Sequence, residues 1–303
     1  MTLFAFLAVY LLWGSNYLAM KIGVESIPPL MLAGVRSLIG GLLLFGWGIW
    51  RGGAGPTRRE WGIASVIGGC MFLGAHGGLF WAIQRVPSGV ASLFVATVPI
   101  WMTLSQRLTE PHHHIGPRTI AGIAGGALGL VVLVGPGQFM TGQAIDPIGA
   151  VVLIGVALLW TTGSTIARRT APPSISVATG SYLLAGGSML VVVSGLAGEF
   201  PLLATHPVSG RSIAALAYLI VCGSLIAFSA YNYLLRRSTL AKVSTYAYVN
   251  PLVAIALGWA FGGETLDARV GIAAALIIGS VALSLTAAGT GHRGIANQQS
   301  GNR

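Results

Sequence analysis

The sequence predicts an all-α integral membrane protein with ten transmembrane helices, arranged as two inverted five-helix repeats. Three observations predict this fold. Hydrophobic residues make up 54% of the 303 positions and charged residues only 8%, whereas a soluble domain is about a quarter charged. Apolar windows of membrane-spanning length follow one another with mostly short connections. Segments of the first half also recur in the second half in the same order.

The candidate helices are windows of roughly 19–20 residues, the length that crosses a bilayer core. Their approximate ranges are 3–21, 28–50, 61–82, 88–106, 119–135, 147–167, 174–196, 212–235, 241–263 and 270–288. The first window has no basic segment before it and further spans follow, so we interpret it as a retained helix rather than a cleaved signal peptide. The polar tail from Gly289 is predicted to be disordered.

The net charge of +10 could indicate a nucleic-acid partner, but the positions of the basic residues indicate membrane topology instead. With a cytoplasmic amino terminus, twelve basic residues fall in cytoplasmic loops and the tail, and four fall on the opposite side. This is the positive-inside bias. We therefore predict a multi-pass protein of a bacterial inner membrane, surrounded by lipid, with both termini cytoplasmic and no nucleic-acid partner.

The second half of the chain repeats features of the first at a nearly constant offset. Pro99 and Pro251 are 152 residues apart, and at the same offset "FWAIQR" aligns with "NYLLRR" and Cys70 with Cys222. Each half holds an odd number of spans, so the second half must be inserted upside down, a pattern that indicates alternating-access transport. The predicted units are 1–140 and 141–288, followed by a flexible tail, 289–303.

Two segments carry a family resemblance, "LLWGSNYLAMKIG" (11–23) and "PPLMLAGVRSLIGGLLL" (28–44). Together with the predicted arrangement of ten helices as two five-helix repeats, these segments resemble the EamA family of the drug/metabolite transporter superfamily. The likeness covers about residues 1–290 and is greatest to bacterial amino-acid and metabolite exporters of the aromatic amino acid exporter (YddG) type. It implies a basket of the first four helices of each half, with the fifth and tenth packed to one side.

Pro99 and Pro251 fall near the centres of the fourth and ninth predicted spans. A proline in a helix removes one backbone donor and kinks the chain. We expect these residues to act as paired hinges between transport states. Plain packing is the alternative, because membrane helices tolerate proline when neighbouring groups satisfy the freed carbonyl.

Polar and aromatic side chains concentrate on the same spans and predict a substrate cavity. Trp13, Asn16 and Tyr17 share one helix face by their spacing. The remaining candidates are His76, Phe80, Thr97, Trp101, Trp160, Ser224, Tyr231, Ser244, Tyr246, Tyr248 and Asn250. Aromatic faces with a few hydroxyl and amide groups suit a neutral or zwitterionic solute with an apolar side chain. Lipid-interface anchoring or ordinary core packing is the alternative for each aromatic residue.

The segment "STYAYVNPLVA" (244–254) offers two possible inward faces. Tyr246 and Asn250 share one face, and Ser244 and Tyr248 share another, about 160° around the helix. We expect the first pair to face the cavity, because an unpaired amide next to the proline would be costly in lipid.

Few ionisable groups lie within the spans. His76 is the only histidine there, and it could serve function or bind a neighbouring carbonyl. Arg36 could contact backbone carbonyls, snorkel to the interface or hold an anionic substrate group. All seven acidic residues fall at span ends or in loops, so a carboxylate proton relay is not expected. The "HHH" tract, 112–114, predicts a solvated loop rather than a metal site, and no cofactor is expected.

Small residues recur every four positions in the fifth and tenth spans. Gly122 and Gly126 form one such stripe, and Gly271, Ala275 and Gly279 form the other. This spacing lets helix backbones approach closely. We therefore expect these two spans to pack together and the other spans to line the cavity.

The function predicted from the sequence is export of small neutral or zwitterionic metabolites, amino acids and aromatic ones among them, by alternating access. Alternatives are a sugar, a nucleoside or a drug-like cation as the solute. An embedded enzyme is disfavoured, because no nucleophile with a base, carboxylate pair or metal cluster has usable spacing. A channel filter is not visible either. The oligomeric state stays open, with a monomer among the alternatives.

Overall fold

The computed structural model describes residues 1–82, 94–110, 115–134, 146–170, 172, 174–205, 207–262 and 268–286. Within this part of the chain the regular structure is entirely helical. The predicted tail 289–303 and the histidine tract 112–114 lie outside the described residues. The all-helical prediction is therefore confirmed for the described ranges.

The helices are numbered in chain order. They are α1 Thr2–Gly23, α2 Pro29–Trp50, α3 Arg58–Ala82, α4 Val98–Thr109, α5 Pro117–Val134, α6 Pro147–Arg169, α7 Ile175–Leu196, α8 Glu199–Thr205, α9 Gly210–Arg237, α10 Leu240–Val243, α11 Tyr246–Gly262 and α12 Ala268–Thr286.

Six of the described helices are long and apolar enough to cross a membrane, namely α1, α2, α3, α6, α7 and α9. The apolar stretches Pro117–Val132 and Val270–Thr286 are shorter. The predicted spans 88–106 and 241–263 run partly over 83–93 and 263–267, which lie outside the described residues. The prediction of ten transmembrane helices accordingly stays a prediction.

The predicted span 241–263 is not one continuous helix. Turns at Ser244 and Thr245 separate α10 from α11. Both hydroxyls turn back to the preceding helix: Ser244 donates to the Ala241 carbonyl at 2.9 Å, and Thr245 donates to the Lys242 carbonyl at 2.6 Å. Such local side-chain bonds compete with helical ones and favour a break.

Several helices begin at side-chain caps that the sequence contains. Thr57 and Glu60 form a reciprocal capping box at the start of α3, with the Thr57 amide 2.7 Å from Glu60 Oε2. Asp146 accepts from two amides in the first turn of α6. These caps satisfy amide groups that a helix start leaves without partners.

The start of α2 is capped from a distant part of the chain. Glu199 follows Gly198, whose φ of +77° turns the chain sharply after α7. The Glu199 carboxylate accepts from the Leu30 amide at 3.2 Å and from the Met31 amide at 2.8 Å. A carboxylate at a helix N-terminus satisfies free amides and complements the helix dipole. This contact ties α2 to the α7–α8 turn.

Glycines let α2 and α7 cross with their backbones in close approach. A methyl group placed on Gly180 would lie 2.6 Å from the Phe45 amide nitrogen, and one on Gly41 would lie 2.8 Å from the Leu184 amide nitrogen. Only glycine fits such spacing without movement of a backbone. The sequence interpretation missed this interface, although Gly34, Gly41 and Gly48 recur every seven residues along α2.

The helices α5 and α12 pack against each other, as the small-residue stripes predict. Gly122 and Gly126 do lie at close approaches, to Ser284 and Tyr248. The stripe on the other helix was wrong: Gly271 and Gly279 face open space, and Ser280 and Ser284 make the close approach. Ser280 can do so because its hydroxyl bonds back to the Leu276 carbonyl at 2.6 Å, which leaves no unsatisfied donor in the interface.

Arg168, near the end of α6, links several helices at one end of the bundle. Its Nε donates to Glu110 Oε1 at 2.9 Å, and its Nη1 donates to the Leu235 carbonyl at 2.6 Å and to the Ser238 carbonyl. Gln106 extends the contact, since its Oε1 accepts from the Leu240 amide at 2.9 Å. These bonds join the ends of α4, α6 and α9 to the start of α10.

Candidate functional site

A central cavity lies among the long helices. Its volume is about 130 Å³, which is room for a group of water molecules or a small solute, since one buried water needs about 10–15 Å³. The lining comes from both halves of the chain and comprises Trp13, Asn16, Met20, Arg36, Phe72, Ala75, His76, Leu79, Val95, Val98, Val156, Trp160, Leu183, Gly223, Ser224, Phe228, Tyr246 and Asn250.

The position of this cavity follows from how the helices cross. The helix α1 packs against α9 and α11, and α6 packs against α3. The crossed pair α2 and α7 packs against the same helices: α7 contacts α3 and α9, and α2 contacts α9. The long helices therefore surround a space that the paired α5 and α12 do not reach, because none of the lining residues belongs to either of those two.

Aromatic rings form one wall of the cavity. Trp13 lies at its centre, with ring centroids 5.7 Å from Trp160, 5.0 Å from Tyr231 and 5.0 Å from Tyr246. Tyr231 supports the wall from behind: it is fully buried, and its hydroxyl lies 2.6 Å from that of Ser164. Tilted and edge-to-face pairs at these distances are mutually stabilising and hold each ring in place. The result is a rigid apolar wall.

Three neutral side chains in the lining have a polar atom without a hydrogen-bond partner among the described residues. These atoms are Asn16 Oδ1, His76 Nδ1 and Trp160 Nε1, all removed from solvent. His76 instead contacts aromatic rings, with centroids 5.3 Å from Phe72 and 5.6 Å from Trp160. Buried polar atoms usually have partners. Unpaired ones that line a cavity are therefore available to a solute.

Two stretches of π-helix shape the lining. One is Gly69–Gly77 within α3, and the other is Leu219–Ala227 within α9. The first contributes Phe72, Ala75 and His76 to the cavity, and the second contributes Gly223 and Ser224. π-Helical turns are rare and occur mostly at functional sites, because the wider turn redirects side chains and weakens the regular ladder.

The second π-helical stretch is held by side chains of α1. Trp13 Nε1 donates to the Gly223 carbonyl at 3.4 Å. A methyl group on Gly223 would lie 2.6 Å from Asn16 Nδ2, so only glycine lets the amide lie against the backbone there. Trp13 and Asn16, one turn apart on α1, are thereby positioned by the irregular part of α9.

The structure brings half of the predicted site residues to the cavity. Those that line it are Trp13, Asn16, His76, Trp160, Ser224, Tyr246 and Asn250. Asn250 is oriented so that its side-chain nitrogen donates to two carbonyl oxygens, those of Tyr246 and Tyr10, each at 3.2 Å. The amide therefore satisfies a carbonyl one turn before it and also bonds to α1, which explains how an asparagine is tolerated next to Pro251.

The other predicted residues lie elsewhere. Trp101 Nε1 donates to Thr97 Oγ1 at 3.0 Å, so these two side chains bond to each other. Tyr248 points toward α5, where its hydroxyl donates to the Ile123 carbonyl at 3.2 Å. Ser244 bonds to its own preceding turn. Phe80 is buried in the core, Tyr231 lies behind the aromatic wall, and the side chain of Tyr17 is outside the described part of the chain.

The two prolines occupy different environments. Pro251 lies inside α11, as the sequence predicts. Pro99, in contrast, lies in the first turn of α4, after a turn at Ala96 and Thr97. The start of the predicted span 88–106 lies outside the described residues, so the central position of Pro99 within that span stays a prediction. In a first turn the missing amide has no helical partner to lose.

The sequence interpretation missed several lining residues. Phe72, Leu183 and Phe228 line the cavity, but they are apolar residues in apolar helices and nothing in their spacing distinguishes them. Glycine offered a clearer signal, since Gly223 stands within a long apolar run at a place where a side chain would be expected to pack.

Comparisons with known proteins identify relatives along almost the whole chain. A model described as the EamA-like transporter family matches residues 1–135 and again residues 147–286. The "Uncharacterized inner membrane transporter YedA" of Escherichia coli (strain K12) is 39% identical over 283 residues, covering 92% of this chain and 89% of the relative. "Protein PecM" of Dickeya dadantii (strain 3937) is 26% identical over 282 residues, 88% of each chain. A chain in a solved crystal structure has a TM-score of 0.78 at 24% identity, covering 93% of this chain and 96% of its own, and shows the fold alone.

Proposed function

Because the chain belongs to the EamA-like transporter family of the drug/metabolite transporter superfamily, we propose that it exports small neutral or zwitterionic metabolites, amino acids with aromatic or apolar side chains among them. The observation that carries this proposal is the composition of the central cavity. The lining combines an aromatic wall with atoms of Asn16 and His76 that have no hydrogen-bond partner among the described residues. A solute with an apolar body and a polar end matches both parts of such a site.

Alternating access between two inverted repeats is the proposed mechanism. Three observations support it: the family model matches the chain twice, each half contributes one π-helical stretch to the cavity, and α2 and α7 are paired as are α5 and α12. The proposed units are residues 1–140 and 141–288, followed by the tail. In inverted-repeat transporters the substrate site lies between the repeats near the middle of the membrane.

The proposed location is a bacterial inner membrane, with both termini in the cytoplasm. The positive-inside distribution of basic residues supports this orientation. The substitution Ser300→Cys tests it, because an impermeant thiol reagent applied to intact cells should leave the tail unlabelled until the cells are opened. Labelling from outside would contradict the orientation. Cys70 and Cys222 require replacement by alanine first, since both are free thiols.

The substrate class is tested by transport into liposomes that contain the purified protein. Labelled phenylalanine, leucine, glucose, uridine and a lipophilic cation are compared in a counterflow assay, with protein-free liposomes as the baseline. We expect accumulation of the two amino acids above the baseline. Accumulation of glucose, uridine or the cation alone would reject the proposed substrate class while leaving a transporter. The Trp13→Ala variant serves as the control for a damaged cavity.

A further inference from the structure

Arg36, in the first half of α2, is a buried charge without a partner among the described residues. Its side chain is only 7% exposed and lines the central cavity. It makes no hydrogen bond or ion pair with any described residue, and its Nε is buried without a partner. A buried unpaired guanidinium is costly in a protein interior and more so within a membrane. An unpaired guanidinium at this place therefore indicates a partner that does not belong to the chain, such as a bound solute.

The described part of the chain offers Arg36 no counter-charge in the cavity. Among the described lining residues there is no aspartate or glutamate. Of the described carboxylates, Glu110 pairs with Arg168, Glu199 caps α2, and Glu60 belongs to the capping box of α3. The electrostatic environment of the cavity is therefore positive, with Arg36 as its fixed charge. Positive charge in a partly enclosed space of low dielectric attracts an anion strongly.

The groups that line the cavity together with Arg36 are neutral. They include the aromatic wall of Trp13, Trp160 and Tyr246 and the side-chain carbonyl oxygen of Asn16. This arrangement recognises a solute at two points: an anionic end that meets the guanidinium, and an apolar or aromatic body that packs against the rings. An ammonium group would find neutral polar atoms and ring faces but no carboxylate among the described lining residues, and it would be repelled by Arg36.

We infer that Arg36 is the anion-binding group of the central cavity, and that the solute carries a carboxylate as the required recognition element while any amine is dispensable. This inference rests on the proposed transport function and redefines its substrate class as carboxylates with an apolar body, which include anionic organic acids as well as zwitterionic amino acids. It predicts that amino acids and organic acids with the same apolar body compete for one site. It also excludes the drug-like cations that the sequence leaves open. Arginine suits the role because its planar fork binds both carboxylate oxygens at once.

The test is a charge series on one aromatic body, measured as binding to the purified protein. The ligands are L-phenylalanine, 3-phenylpropionate and phenethylamine, which are a zwitterion, an anion and a cation. We expect the first two to bind with affinities within about one order of magnitude, and phenethylamine not to compete, because an ion pair with a buried guanidinium is worth about tenfold or more. Competition by phenethylamine equal to that of phenylalanine would overturn the inference.

The variants Arg36→Met and Arg36→Lys distinguish a role of Arg36 in solute binding from a role in stabilising the fold. Arg36→Met should weaken 3-phenylpropionate binding at least about tenfold, and Arg36→Lys should lose part of the affinity because lysine lacks the fork. The melting temperature of the ligand-free protein should stay equal or rise in Arg36→Met, since an unpaired buried charge is removed. A melting temperature well below that of the parent would show that Arg36 is a structural residue. The exposed Arg118→Met in α5 is the matched control.

Failure of the proposed function and failure of this inference give different results. If no amino acid is transported but 3-phenylpropionate binds in an Arg36-dependent way, amino acids are rejected as substrates and the anion site stands. If phenylalanine is transported equally by the parent and by Arg36→Met, the transport function stands and the anion site is rejected.

Discussion

Trp13 and Tyr246 meet edge to face at the central cavity, with ring centroids 5.0 Å apart and ring planes at 82°. One residue lies in the first helix and the other begins α11, near the end of the chain. Asn250, one turn beyond Tyr246, reaches the Tyr10 carbonyl on the same first helix. The aromatic wall therefore depends on the packing of α1 against α11 and joins the two halves of the chain.

Removal of either ring should weaken solute binding. We expect Trp13→Ala and Tyr246→Ala each to cost about 1–3 kcal/mol, the value of a buried aromatic contact and its apolar area. Titration of purified protein with labelled phenylalanine measures this. Trp101→Ala and Val131→Ala should leave the affinity unchanged, because Trp101 bonds to Thr97 and Val131 is 47% exposed on α5. Equal losses at Val131 and Tyr246 would place the binding site elsewhere.

The two prolines should differ in their effect on transport. Pro251→Ala restores an amide that can reach the Ala247 carbonyl and straighten α11, so turnover should fall several-fold while binding is retained. Pro99→Ala should change little, because Pro99 occupies a first helical turn. Initial rates in liposomes at saturating solute give the comparison. A larger effect at Pro99 than at Pro251 would contradict this assignment of the hinge.

The crossing of α2 and α7 should not tolerate a methyl group. Gly180→Ala would place its Cβ 2.6 Å from the Phe45 amide nitrogen, so we expect a loss of about 1–3 kcal/mol in stability from overpacking. The control is Gly46→Ala, also at this end of α2 but with nothing within 4 Å of the added atom. Thermal unfolding in detergent compares the two. Similar melting temperatures for both variants would show that the crossing is looser than described.

Arg168 should stabilise the end of the bundle where α4, α6 and α9 meet. Arg168→Met removes the ion pair with Glu110 and leaves the carbonyls of Leu235 and Ser238 without this donor. We expect a loss of about 1–3 kcal/mol in the free energy of unfolding. Glu110→Gln should cost less, because Arg168 keeps its carbonyl acceptors. A larger loss for Glu110→Gln than for Arg168→Met would show that the ion pair outweighs the carbonyl contacts.

Local signals in the sequence predicted several elements of the structure. The four-residue spacing of Gly122 and Gly126 predicted a close packing face on the fifth span, and both residues lie at close approaches. The four-residue spacing of Tyr246 and Asn250 puts both on one face, and the structure has both at the cavity. Local geometry decides such features, because the face on which a helical residue lies depends only on residues within one or two turns.

Other features required the tertiary structure. No periodicity distinguishes Phe72 or Phe228 from the apolar residues around them, since a helix facing a cavity and a helix facing lipid have the same composition here. The first-turn position of Pro99 depends on where α4 begins. Glu199 caps α2 from far along the chain, and only folding brings a carboxylate from one helix to the amides of another.

The sequence by itself determined the membrane environment, because a chain with 8% charged residues cannot cover its surface for water and its apolar windows have the length of a bilayer core. It also determined that a charge, Arg36, would stand inside a span. Only the tertiary structure decided that this charge has no partner among the described residues and faces a cavity with an aromatic wall. A residue's partners are a property of the packed helices, because the groups that could neutralise a buried charge come from other segments of the chain.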